Sequence, residues 1–174
     1  MMHEITIAIA VVLCCALLGL AVWSDMREHR IPNWLVLGLL LIGFVYQVLV
    51  NGPVGLLYAL GGLAVGIGLF IGFYLGRGMG AGDVKLMGAA GALLGPAGAL
   101  LAGACSLITG FILVVGGMKV VPLARRYEAL RAIPEFFVQK NDAIRVPYAP
   151  AIAAGCCVAM WQLGTFSTLA VVMR

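Results

Sequence analysis

From Ile5 to Trp23 the chain carries no charged residue, and uncharged runs recur from Trp34 to Val50, Val54 to Gly76, Val84 to Leu94, Ala97 to Met118 and Val146 to Met173. A helix needs ~20 apolar residues to cross a ~30 Å hydrocarbon core. Runs of this kind leave few alternatives to a bundle of helices packed within a lipid bilayer. Composition agrees: 63% of residues are hydrophobic, only 10% are charged, and the mean hydropathy is +1.10, far from an ordinary soluble domain. The expected architecture is an all-α, polytopic integral membrane helix bundle. It forms one domain over residues 1–174 and has about six transmembrane helices, at 5–23, 34–50, 54–76, 84–95, 97–118 and 146–173.

The fourth of these segments is the ambiguous one. Val84 to Leu94 rises only ~16 Å as a helix before Gly95-Pro96 interrupts it, which suits either a short crossing or a re-entrant half-helix. Charge placement decides between them. Every Lys and Arg except Arg174 falls in one of three loops, 24–33, 77–85 and 119–145, whereas the connections at 51–53 and 95–96 carry none. If the short segment crosses, all three basic loops share one face, which the positive-inside rule makes cytoplasmic. Trp23 and Trp34 flank the first loop, as aromatic rings do at a headgroup boundary. Pro32 suits the start of the second helix. The net charge of +4 is then explained by topology, and nucleic acid is not an expected partner.

Other features read as packing or anchoring. The five cysteines, Cys14, Cys15, Cys105, Cys156 and Cys157, lie in apolar runs without a Cys-x-x-Cys pair and read as small buried hydrophobes. Gly68, Gly72 and Gly76 make a small-xxx-small face on the third helix. Between Pro122 and Pro134, Leu123, Tyr127, Leu130 and Ile133 recur at helical spacing opposite Arg125, Arg126, Glu128 and Arg131. That pattern suits a helix lying on an anionic membrane surface or a docking face for a substrate. His29 has no second ligand at metal spacing, so neither a metal nor another cofactor is expected.

Within this apolar sequence, the turn Arg77-Gly-Met-Gly-Ala-Gly-Asp-Val-Lys85 sets an ionisable Asp83 between two membrane segments. A charge there is costly and marks a candidate functional group. Gly80 and Gly82 remove side chains from the approach to it. Asp25, in the first loop, falls on the same face. Two nearby aspartates share a proton, so that one acts as base toward a water and the other as acid toward the carbonyl or leaving amine. The pair titrates as a unit, and apolar surroundings raise its higher apparent value. The same residues also fit interfacial charges paired with Arg27, Arg30 or Lys85, and Asp83 suits the first turn of a helix. Lys85 fits a substrate-orienting role or a snorkelling lysine. Asn33 fits a hydrogen bond near the site or a helix cap.

Three blocks carry a resemblance to a known family: Ser24-Asp-Met-Arg-Glu-His-Arg-Ile-Pro-Asn-Trp-Leu35, Gly78-Met-Gly-Ala-Gly-Asp-Val-Lys-Leu-Met87 and Val146-Pro-Tyr-Ala-Pro-Ala-Ile-Ala-Ala-Gly155. In order and content they resemble the type IV prepilin peptidases, GxGD-type membrane aspartyl proteases, and in particular the short members of the tight-adherence or Flp pilus systems. The resemblance implies that Asp25 and Asp83 are the catalytic pair, with Gly80, Gly82, Lys85, Arg30 and Asn33 as supporting or substrate-binding residues. It implies an endopeptidase of the bacterial cytoplasmic membrane that removes the leader of prepilins and pilin-like proteins at the cytoplasmic face. The paired Cys-x-x-Cys motifs of longer, methylating members do not occur in this sequence, so no methyltransferase activity is expected. Membrane lipid and the prepilin leader are the expected partners. A presenilin-like protease, a proton-coupled transporter and a non-catalytic assembly subunit of a pilus or secretion machine are the competing readings.

Overall fold

The computed structural model describes residues 2–28, 30–76, 79–126 and 148–162. Among them are five α-helices and no strand: α1 (Met2–Glu28), α2 (Asn33–Asn51), α3 (Gly55–Leu75), α4 (Ala81–Arg126) and α5 (Ala149–Gln162), with a single 3-10 turn, Gly52–Val54, between α2 and α3. His29, the end of the expected last crossing from 163 onward, and most of the amphipathic stretch from Pro122 to Pro134 lie outside the described residues. The first residues of that stretch continue α4, which runs on as helix past Met118 to Arg126.

α4 is two helical arms joined at a break. Gly95 interrupts it at φ 71°, ψ 178°, a conformation that a side chain would strain, and Pro96 follows without an N–H to continue the ladder. The chain folds back there. A side chain added at Gly91 would reach Ala99, and one added at Gly103 would reach Met87, so the two arms lie antiparallel as a helical hairpin. The break frees a carbonyl at membrane depth, and Gln47 satisfies it. Its Nε2 donates to Leu93 O at 2.9 Å while Asn51 Nδ2 donates to its Oε1 at 2.7 Å. A buried Gln inside the apolar run of α2 thus caps the break in α4.

The remaining helices order themselves around this hairpin. α3 lies antiparallel to the first arm so closely that a side chain at Gly62 would collide with Gly91 O, and one at Gly66 would come to 2.5 Å of Met87 O. The face used is Gly55, Ala59, Gly62, Gly66 and Phe70, all buried. The Gly68-Gly72-Gly76 face expected to pack does not: at Gly68 and Gly72 an added side chain would meet no neighbour within 4 Å. α2 runs parallel to the first arm, from Asn33 beside Lys85 to Gly43 against Leu93. α5 packs antiparallel to the second arm, with Tyr148 at Gly110 and Gly155 at Ser106. Consecutive rods therefore alternate in direction.

The bundle is apolar outside as well as inside. Ile9, Val12, Leu37, Leu41, Val45, Leu57, Phe73, Ile108, Phe111 and Ile112 are exposed, a surface that water would reject and lipid accepts. With runs such as Ala81–Val115 long and apolar enough to cross a membrane, the chain reads as an integral membrane protein. The cysteines divide instead of all being buried: Cys14 and Cys156 are buried, Cys15 and Cys105 are half-buried, and Cys157 is exposed. Cys14 and Cys15 on α1 lie within electrostatic reach of Cys156 and Cys157 on α5, which places these two helices side by side.

Candidate functional site

α4 begins at Ala81 because Gly80 and Asp83 cap it reciprocally. Asp83 N donates to Gly80 O at 3.2 Å, and Gly80 N donates to the Asp83 carboxylate at 3.3 Å. The second bond is the side-chain half of a capping box, with an aspartate in the third helical position reaching back to the N-cap N–H, and the first is a backbone turn. The GxGD string is therefore also a helix start. Gly82, on the next position, faces the side chain of Ile31, where an added Cβ would sit 3.4 Å from the Ile31 Cβ. The loop that follows Asp25 thus packs on the turn that carries Asp83.

Asp25 lies in the last turn of α1 and accepts the Ala149 N–H at 3.2 Å, across 124 positions of sequence. The local sequence explains why α5 takes its cap from another helix. Tyr148 stands where Ser, Thr, Asp or Asn would cap from within, and Pro150 has no N–H to satisfy, which leaves the Ala149 N–H to find an acceptor. Both carboxylates are buried, Asp25 at 7% exposure and Asp83 at 9%, and the two lie within electrostatic reach of one another. Each also meets the positive end of a helix, α5 for Asp25 and α4 for Asp83. Burial opposes a charge on either group while the helix terminus favours it. A pair held between these opposing effects can carry one proton between two sites.

The supporting residues divide. Lys85 is exposed and donates to Asn33 Oδ1 at 3.4 Å, tying the start of α4 to the start of α2. Asn33 makes no cap: α2 is capped at Pro32 with no side-chain hydrogen bond. Arg30 contributes its backbone carbonyl, which accepts the Ser24 hydroxyl at 3.0 Å and closes the loop after Asp25. Its side chain is exposed, as is Arg27, whose guanidinium lies 5.3 Å over the Trp23 ring. Among the described residues no group of three or more His, Cys, Asp or Glu side chains is placed to hold a metal ion.

Sequence reasoning left Tyr148 and Ala149 without a role. Their only signal was membership in the third motif block, Val146 to Gly155. The geometry gives that block a function at the site: it supplies the N–H that fixes Asp25 and sets an aromatic ring beside the pair.

No curated protein and no solved structure matches this chain. A family model does, the Type IV leader peptidase family, over residues 12–115, which takes in both aspartates, the loop between α1 and α2, and the α4 hairpin. More than half of the sequence, including the two buried carboxylates that its helices bring to one end of the bundle, is thus accounted for by a single family, and the chain belongs to the type IV leader peptidase family.

Proposed function

We propose that Asp25 and Asp83 are the catalytic pair of an aspartic endopeptidase that removes leader peptides from type IV prepilins and pilin-like proteins, with those of Flp-type pili as the expected substrates. The observation that carries this reading is the convergence of two buried carboxylates from separate helices, each at a helix N-terminus and each within reach of the other's charge. One carboxylate takes a proton from water as the oxygen bonds to the scissile carbonyl carbon. The other, protonated, delivers its proton to the leaving nitrogen as the C–N bond breaks. The reaction ends with one proton still shared by the pair, so no further acid or base is required.

The proposed setting is the bacterial cytoplasmic membrane. Six crossings with both ends outside the cytoplasm fit the alternating rods and put the pair at the cytoplasmic face, where the basic loops 24–33, 77–85 and 119–145 would lie. Peptidase activity is proposed without methyltransferase activity.

The deciding experiment uses purified protein in detergent with a prepilin of the same organism, followed by the mobility shift on losing the leader. Wild type should cleave with or without chelator. Asp25→Asn and Asp83→Asn should each lose about 10²–10⁴-fold or more of the rate at normal membrane abundance, and Asp142→Asn, in the basic loop 119–145 outside the three motif blocks, should cleave like wild type. Cleavage by either Asn variant at the wild-type rate, or none of the organism's prepilins being cut, rejects the assignment. No ion gradient exists in detergent, so cleavage there leaves the transporter reading without support.

A further inference from the structure

The α5 start does more than hold Asp25. Tyr148, the residue just before α5, is half-buried, and its ring is seated on the second arm of α4 at Gly110, where an added Cβ would come 2.5 Å from the ring Cε1. The missing side chain at 110 makes the seat, and the bonded Ala149 N–H fixes the backbone beside it. The ring's position is therefore set from two sides. Its hydroxyl has no hydrogen-bond partner among the described residues and is not sealed within the protein. Tyr148 also lies within electrostatic reach of Asp83. A phenol buried in a core ordinarily finds a partner. This one is seated against Gly110 with its donor unused, within electrostatic reach of Asp83 and one residue from the N–H that holds Asp25.

Two carboxylates suffice for the proton transfers of peptide hydrolysis. They leave a second demand, because the carbonyl oxygen gains negative charge as water adds, and preorganised donors at that oxygen are among the largest contributions an enzyme makes. We propose that Tyr148 is a third catalytic residue, whose O–H donates a hydrogen bond to the scissile carbonyl oxygen as the tetrahedral intermediate forms. The phenol keeps its proton throughout. The protons moved are those of the water and of the aspartate pair, and the bonds made and broken are the C–O and C–N bonds already described.

This inference rests on the peptidase reading, and its test separates the two. Purified wild type, Asp25→Asn, Asp83→Asn and Tyr148→Phe are assayed in detergent on a synthetic peptide spanning the leader and cleavage site of a prepilin from the same organism. The Phe variant keeps the ring on its seat and removes only the donor. Its kcat should fall about 10²-fold with KM within about twofold, at an unchanged unfolding midpoint. It should also bind a peptide carrying a tetrahedral hydroxyl in place of the scissile carbonyl more weakly than wild type does, in about the same proportion, while binding the uncleaved peptide equally well.

Full kcat in Tyr148→Phe overturns the inference and leaves the aspartate pair standing. So does a loss confined to KM, which would make Tyr148 a substrate-packing residue, or a loss accompanied by a lower unfolding midpoint, which would make it a structural one. If wild type cuts no such peptide, or if either Asn variant cuts it like wild type, the peptidase reading fails and the role of Tyr148 with it.

Discussion

Each aspartate of the pair is both a cap and a chemical group, and substitutions separate these functions. Asp25→Ala removes the acceptor from the Ala149 N–H and should cost about 0.5–2 kcal/mol, the usual cost of losing a cap. Asp25→Asn keeps a carbonyl oxygen in place and should cost less. Thermal unfolding in detergent compares the two. An Asn variant as unstable as the Ala variant would mean that the charge, and not the hydrogen bond, holds α5 in place. The same contrast applies at Asp83, where Gly80 N is the donor. Asp83 was legible in the sequence because a carboxylate at a glycine-rich turn between apolar runs stands out, and Asp25 because its loop falls on the same face. Their caps were only half legible. Asp83 and Gly80 are three residues apart, so a helix start there follows from local rules, whereas Asp25 and Ala149 meet across nearly the whole chain. Of the two roles open to Asn33, a helix cap and a hydrogen bond near the site, only the second is made, and its partner Lys85 is 52 positions away and invisible to local rules.

At the scale of helices, the sequence predicts that the elements exist but not which faces meet. In a soluble helix the polar side marks what faces outward. Here lipid is as apolar as the core, so α3 offers two small-residue stripes that hydropathy cannot rank. The buried stripe includes Gly62 and Gly66, and the open one includes Gly68 and Gly72. Gly62→Val should force α3 off the α4 hairpin at a cost of about 1–3 kcal/mol or more, whereas Gly72→Val should leave the unfolding midpoint nearly unchanged. Equal midpoints for the two variants would contradict the α3 packing. Gln47 shows the same limit: inside an apolar run it has no visible purpose until the break at Gly95, far along the chain, exposes the carbonyl it serves.

At the scale of the whole molecule, the basic loops made the common face of the two aspartates legible without coordinates, because membrane insertion leaves its record in charge. Thiol labelling reads that orientation directly. In a background without native cysteines, single cysteines at Glu28, Gly78 and Lys140 should resist impermeant thiol reagents in intact cells and react once the cells are opened. Labelling at position 140 from outside would overturn the arrangement. The α4 hairpin has a further consequence for the far end of the bundle. Its first arm, about 14 residues from Ala81 to Leu94, rises only ~21 Å, whereas α3 beside it has 21 residues and is tall enough for a full hydrocarbon core. The turn at Gly95 is therefore recessed below the far surface, and a cavity of about 180 Å³ lined by Tyr46, Gln47, Asn51, Leu93 and Met160 lies beside it. That arm is buried among the other helices over almost its whole length, so the recess at its end is walled by helices and not by lipid. The break at Gly95 thereby sets a polar pair, Gln47 and Asn51, in a hollow at the end of the bundle opposite the aspartates.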